Sequence, residues 1–331
     1  MDFSDKQRQL LQLLADGHFH SGSALASYLG LSRSAVWKNT QALLAVGLEV
    51  LAIRGKGYRL EAPLSLLNVG AIEAELTPFT HSKLGVIEIF EQCESTNSYL
   101  MLKARQGEIA NKVCLAEYQA AGKGRRGRQW VAPFGQNIIL SLLWRFELVT
   151  SAIAGLSLAI GVAVVRALRA EGIADVGLKW PNDIYWQDRK LGGILIEVVG
   201  EANGPCTVVV GLGLNGFLPA KAAEGINQAW VDLKHITGQT TLNRNRLTAG
   251  LLNALITVLA EFEHTGLLDY LHEWRSYDCM LNKTVTVLLY NQALKGIVKG
   301  INDEGLLLLQ GQAGQLQAFA SGEISFNAGS L

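Results

Sequence analysis

The chain has 331 residues, 49% of them apolar, and its 29 basic side chains balance 29 acidic ones. That length asks for two or three domains, and that apolar share excludes a disordered chain. Zero net charge excludes a wholesale polyanion binder, so any basic function must be local.

Residues 5–15, DKQRQLLQLLA, place Leu10, Leu11, Leu13 and Leu14 on one helical face. DGHFHSG breaks that helix. SALASYLG reads as a second, short helix from a serine cap. Gly30 and Leu31 turn the chain, and Ser32 caps a third helix, RSAVWKNTQALLAVG, ending at Gly47. LEVLAI and YRL then flank RGKG as a strand–turn–strand pair. Three helices plus a hairpin predict a winged helix-turn-helix domain over 1–65. In the third helix Val36, Thr40, Leu43 and Leu44 form the face to be buried. Arg33, Ser34, Lys38 and Asn39 lie on the other face, beside Ser32, with Arg54, Lys56 and Arg59 on the wing. Such side chains reach phosphates and base edges in a major groove. The alternative is a three-helix module used for protein contacts.

LEAPLSLLNVG (60–70) reads as a linker marked by Pro63. Beyond it, VIEIFEQ, KVCLAEY, NIILSLLWR, GLKW, KLGGILIEVVG and CTVVVGLGLN are strand candidates. STNSYLMLKARQG, 151–171 and about 244–265 are helical. Several strands follow one another directly, which predicts one mixed-sheet α/β domain, largely antiparallel, over 66–271. The uncharged run 148–165 is near the length of a membrane span. It is rich in Ala, Gly, Ser and Thr and leads into the amphipathic RALRAEG, so it reads as a helix buried against a sheet. From about 272, short strands joined by NQ, NDEG and GQAG turns predict a small SH3-like β-barrel over 272–331. The whole chain is thus a multidomain α+β protein.

Four spaced cysteines, Cys93, Cys114, Cys206 and Cys279, form no C-x-x-C and no cysteine–histidine cluster. No metal site or disulfide framework is expected, and reduced thiols in a cytoplasmic protein are. The opening MDFSDKQRQL is polar, unlike a signal peptide.

The densest charge lies in AGKGRRGRQW (121–130). Its glycines satisfy G-x-G-x-x-G, but a dinucleotide fold needs a helix next, and Pro133, Gly135 and a further strand follow instead. A Gly/Arg loop between strands suits a phosphate-bearing ligand, through free backbone N–H groups and forked guanidinium donors. A solvated basic loop or a nonspecific nucleic-acid contact is the plainer alternative. ESTN (94–97), KWPNDIYW (179–186) and RKLGGILIE (189–197) flank it.

The set E-S-T-N, E-Y-Q-x-A-G-x-G-R-R-G-R-x-W, K-W-P-N-D, R-K-x-x-G-I-L and G-x-G-x-N closely resembles the biotin–protein ligases. With the winged helix in front, the full length resembles the bifunctional kind, ligase and biotin-operon repressor in one polypeptide. The resemblance implies a fold related to lipoate ligases and class II aminoacyl-tRNA synthetases. It implies biotin and ATP as substrates, with Mg²⁺. Biotin carboxylate attacks the α-phosphate to give biotinyl-5′-AMP, and a lysine of biotin carboxyl carrier protein, the acetyl-CoA carboxylase subunit, attacks that anhydride. Operator DNA of the biotin biosynthesis genes, a homodimer formed on adenylate binding, and no membrane complete the implied partners.

Residue by residue, the resemblance assigns Ser95, Thr96 and Asn97 to the biotin head group, with Gln119 beside them. Lys123, Gly124 and Arg125 match the loop that closes over biotin and the adenylate phosphate. Lys123 stands where the family commonly has Arg, which keeps charge and loses the fork. Lys190 matches the lysine between carboxylate and phosphate. Asn182 and Asp183 fall in the KWPND motif with Lys179. Asp183 either helps place Mg²⁺ or takes the incoming lysine's proton; the pair otherwise forms a plain turn. Trp230 resembles a tryptophan that covers adenine. The rival readings are a ligand-sensing repressor without turnover, a ligase whose first domain does not bind DNA, and lipoate or octanoate attachment.

Overall fold

The computed structural model describes residues 3–108, 111–200, 204–239, 241–289 and 292–325. Helix α1 (Asp5–Leu14) opens on a capping box between Ser4 and Gln7. Helix α2 (Gly22–Leu29) is capped by Ser21 and stopped by Gly30 at φ 64°. Ser32 caps α3 (Arg33–Ala45). Strands β1 (Val50–Ile53) and β2 (Gly57–Leu60) pair antiparallel as the wing. Leu10, Leu11, Leu14, Leu25, Leu29, Val36 and Leu43 share one core.

Three details differ from the sequence reading. The α2 cap is Ser21, ahead of the SALASYLG segment. Leu13 is only half-buried. Leu44 is 42% exposed: Val36, Thr40 and Leu43 define the buried stripe, and the next residue turns about 100° toward solvent.

The central sheet has seven strands in the order β3-β4-β5-β9-β8-β7-β6. They are β3 (Ile87–Cys93), β4 (Lys112–Gln119), β5 (Ile138–Phe146), β6 (Val176–Lys179), β7 (Asp183–Trp186), β8 (Arg189–Gly200) and β9 (Cys206–Leu214). The β3–β4 pair is parallel and the other pairings are antiparallel. Helices α4 (Val69–Glu73) and α5 (Pro78–Lys83) precede the sheet, and α6 (Thr96–Arg105) follows β3. Period-two alternation sorts the strands' side chains to two faces. Cys114, Leu143 and Val209 meet Leu100 of α6, whereas Leu115, Leu142 and Val210 join the core around α7 (Leu156–Ala170). The uncharged run is therefore the buried core helix. It is not continuous: a 3₁₀ turn (Thr150–Ile153) and Gly155 at φ 81° precede α7. The short α8 (Ala220–Ala223) and α9 (Leu233–Thr237) lead to α10 (Arg244–Thr265) and α11 (Leu268–Tyr277), both packed on α7.

Helix α11 runs across 271/272, where the sequence places a domain division; the following strands begin at Thr284. These are β10 (Thr284–Leu288), β11 (Ala293–Ile301), β12 (Leu307–Gln310), β13 (Leu316–Phe319) and β14 (Glu323–Ser325). They form an antiparallel sheet in the order β13-β12-β11-β10-β14. Its Val285, Val287, Val298 and Leu307 belong to the same apolar core as α7.

The linker is held from both sides. Leu64 N–H donates to Ala15 O (2.8 Å). Beyond it lies a buried ion pair, Arg244–Glu117, at 2.5 Å, with both side chains out of water. The guanidinium also donates to Ser65 O and Asn137 O, and Glu117 Oε1 accepts from Leu67 N–H. Removing one partner of such a pair strands the other charge in the interior. Arg244→Ala is expected to cost about 3–5 kcal/mol, read as a fall in the urea midpoint with the m-value unchanged.

Candidate functional site

One cavity of about 950 Å³, counting its open mouth, lies where the sheet, the 121–130 loop and the last strands meet. Ser95, Thr96, Asn97, Gln119, Lys123, Gly124, Arg125, Asn182, Asp183 and Lys190 all line it. Local structure accounts for each position. Ser95 caps α6, its Oγ accepting from Ser98 N–H, which sets Thr96 and Asn97 in the first turn. Gln119 ends β4, and its Oε1 accepts from Thr96 N–H (2.7 Å) and lies 3.0 Å from Thr96 Oγ1. Ser141, on β5, links Thr96 Oγ1 (2.7 Å) to Asn97 Oδ1 (2.6 Å). The sequence reading missed it, although a lone serine inside the apolar IILSLLW is itself a signal.

The loop folds back on itself. Gly124 N–H donates to Arg128 O and Trp130 N–H to Gly122 O, with a tight turn at Arg125–Gly127. A side chain at Gly122 would stand 2.6 Å from Trp130 O and 2.9 Å from Gln119 Nε2, so the crossing demands glycine there. Arg126 and Arg128 reach Glu323 of β14, Arg128 at 2.5 Å. Gly322, Glu323 and Ile324 complete the wall from the C-terminal sheet, a contribution no local motif announces.

Beyond that polar end the charge is cationic. Lys190 Nζ lies 2.8 Å from Asp183 Oδ1, and Lys179 Nζ 3.5 Å from Oδ2. Arg125 donates to Asn182 Oδ1 (3.0 Å), and Asn182 Nδ2 donates to Ile194 O. Lys179 is 5% exposed and also donates to Tyr185 Oη. Burial opposes ionisation of Asp183, but the two ammonium groups outweigh it and hold its pKa below the ordinary carboxylate value. Burial lowers the Arg125 pKa, against the pull of Asp183. One carboxylate between two lysines, with a guanidinium alongside, leaves the cluster net positive. It fixes cations where an anionic ligand would lie. Trp230 does not line this cavity; its backbone pairs with Lys190, which takes Lys190 N–H to Ala229 O.

On the N-terminal unit Arg33, Ser34 and Lys38 are exposed along α3, and Arg54 and Lys56 at the wing tip. Ser32 is spent on the helix cap, accepting from Ala35 N–H. The Asn39 amide turns back to Ala35 O (2.9 Å). Arg59 is half-buried, stacked 5.0 Å from the Phe19 ring, with Lys56 at 5.8 Å. Trp37, between Arg33 and Lys38 on the helix surface, is 56% exposed.

Residues 89–215 match the family model described as Biotin/lipoate A/B protein ligase family, residues 6–59 an HTH domain, and residues 280–327 the Biotin protein ligase C terminal domain. The bifunctional ligase/repressor BirA of Salmonella typhimurium is 40% identical over 320 residues, covering 96% of this chain and 97% of that protein. The BirA of Escherichia coli is 40% identical over 321 residues, 97% of each. The biotin protein ligase of Aquifex aeolicus, solved in complex with biotin and ATP, aligns with a TM-score of 0.60 at 24% identity. It covers 72% of this chain and 97% of that one, a likeness of fold. Fold, domain order and relatives define a biotin–protein ligase with an N-terminal helix-turn-helix domain. The chain belongs to the bifunctional ligase/repressors of the biotin/lipoate A/B protein ligase family.

The Asp183 cluster makes a pH prediction. A folded pKa below the unfolded value, about 3.9, gives a stability contribution that is complete above that value. It is lost as pH falls through the lower folded pKa. Asp183→Asn is expected to flatten that part of the acid limb, measured by urea unfolding between neutral pH and pH about 3.

Proposed function

We propose that this chain joins biotin to ATP as biotinyl-5′-AMP, passes the biotinyl group to a lysine of a biotin carboxyl carrier protein, and represses biotin synthesis genes with the adenylate as corepressor. One observation carries the ligase reading: a single cavity has a neutral hydrogen-bonding end, Ser95–Asn97 with Gln119, and a cationic end, Lys190 with Arg125 and Lys179. A neutral ureido ring suits the first, and two anions brought together suit the second.

A biotin carboxylate oxygen bonds to the α-phosphorus as the bond to pyrophosphate breaks. Like charges approach in that step, and Lys190 and Arg125 lower the barrier by being already in place. The carrier's lysine amine then bonds to the biotinyl carbonyl carbon, AMP leaves with the bridging oxygen, and the amine's surplus proton passes to water. We assign Asp183 to holding the two lysines, since its depressed pKa makes it a weak proton acceptor. Mg²⁺ enters with the nucleotide as MgATP; among the described residues no three metal-ligating side chains cluster. Lys123 keeps charge on the loop without a fork. Trp230 is offered to adenine only through its place beside Lys190. The four free thiols fit a cytoplasmic setting.

The test of the ligase reading is transfer of labelled biotin to a carrier domain with MgATP. Label on the carrier lysine is expected, and its absence with a folded preparation at neutral pH sinks the reading. Lys190→Ala is expected to slow adenylate formation by about 3 kcal/mol, or two orders of magnitude, in a protein that still unfolds cooperatively. Arg125→Gly is expected to release the anhydride, so that label spreads to other amines.

Arg33, Lys38, Arg54 and Lys56 form the exposed basic face offered to operator DNA. Two copies on a palindrome are needed for tight binding, and an adenylate that orders the loop favours the dimer. Lys56→Ala is expected to reduce the slope of log K against log salt by about one for each phosphate that Lys56 neutralises. Operator titration and sedimentation with and without biotin and ATP measure the coupling. Equal binding without ligand contradicts it.

A further inference from the structure

Glu197 lies on β8 apart from the ion-paired cluster. Its Oε2 accepts from Asn97 Nδ2 (3.0 Å), and the same amide nitrogen donates to Leu195 O (3.3 Å). Both protons of the Asn97 amide are thereby spent. An ionised carboxylate and a carbonyl can only accept, so the amide cannot invert. Its Oδ1 must face Ser141 Oγ, 2.6 Å away. That oxygen also only accepts, so the single Ser141 proton points to it. Ser141 Oγ in turn lies 2.7 Å from Thr96 Oγ1. Thr96 directs its own proton to Ser141 or to Gln119 Oε1 (3.0 Å), in both cases into the protein. The Ser141 proton is therefore committed to Asn97, and both acceptors within reach of the Thr96 proton lie in the protein. Asn97 Oδ1 and Thr96 Oγ1 are left with lone pairs and no proton to offer the cavity they line. Gly211 lets the amide lie flush on the sheet: a methyl there would stand 2.1 Å from Asn97 Oδ1.

We propose that Glu197 is a positioning residue that fixes the Asn97 amide, so that Asn97 Oδ1 and Thr96 Oγ1 meet the head-group end of the cavity as acceptors for a ring that presents N–H donors. The proposal rests on biotin as the ligand, whose ureido ring carries two such donors. A cyclic disulfide or an alkyl chain carries none and leaves the acceptors unpaired, which a site built to hydrogen-bond its substrate penalises heavily. Glu197 does not touch the reacting atoms, so its effect belongs to biotin binding and not to the chemical step.

Biotin-dependent ATP–pyrophosphate exchange on the full chain reads this out. A glutamine amide donates as well as accepts, so it no longer imposes the Asn97 orientation, and only the longer bond to Leu195 O (3.3 Å) still opposes inversion. E197Q is therefore expected to raise KM for biotin about tenfold, with kcat at saturating biotin within about twofold and KM for ATP unchanged. E197D, still only an acceptor, is expected to restore KM to within about threefold of the unmodified protein. S141A is expected to raise KM by a similar factor. The E197Q/S141A double variant should show no further rise, because both act through the Asn97 amide. If E197Q loses its cooperative thermal transition, E197M, of similar bulk and without a hydrogen-bonding group, takes its place. Unchanged KM in E197Q or E197M, or factors that multiply in the double variant, overturns the proposal. Absence of biotin-dependent exchange in the unmodified protein would instead remove the ligase reading on which it rests.

Discussion

The buried pair of Arg244 and Glu117 sits where the chain's parts cross. Its guanidinium holds the linker at Ser65 and the return of the ligand loop at Asn137, and its carboxylate belongs to β4, two residues before Gln119. Neither charge can leave without stranding the other in the interior. The geometry of the cavity floor and the seat of the N-terminal unit are thus tied to one interaction. Phe134, on the same return segment, packs 5.6 Å from Phe3, and Arg8 bridges to Glu91 of β3 at 2.5 Å. The helix-turn-helix unit is therefore docked on the segment that closes the ligand loop, and not merely tethered to it.

The cavity divides its chemistry as the proposed reaction requires. Neutral hydroxyls and amides gather at the α6 terminus, where a ring can be read by hydrogen bonds of fixed direction. Cations gather at the β7–β8 edge, where Asp183 holds Lys179 and Lys190 in place. The Gly/Arg loop spans both and is pinned to β14 through Arg128 and Glu323. A loop so anchored brings the C-terminal sheet into the wall of the site.

Much of this was legible in the sequence because local rules decide it. Serine caps, Gly30, and the leucine stripe fix the first three helices, and alternation fixes most strands. The motifs named the residues that converge, from Ser95 to Lys190. What stayed hidden depends on distance along the chain. Ser141 and Glu197 matter through partners 44 and 100 residues away. Glu323 faces a loop from the far end of the fold. The division expected at 271/272 fell inside helix α11 because its mixed polar run, LDYLHEWRSY, carries only a weak helical signature, and packing on α7 holds it helical. Leu44 misled because two adjacent leucines cannot both face one narrow stripe. The Asn39 amide, read as facing a groove, is held by its own helix.

The proposed chemistry turns on a carboxylate oxygen attacking phosphorus inside this one cavity. Biotin labelled with ¹⁸O in both carboxylate oxygens, incubated with the protein, MgATP and a carrier domain, tests that step directly. One labelled oxygen should appear in the AMP released for each biotinyl group transferred, and the other should stay in the new amide. AMP without label would show that the carboxylate never bonded to the α-phosphorus, and would contradict the proposed chemistry.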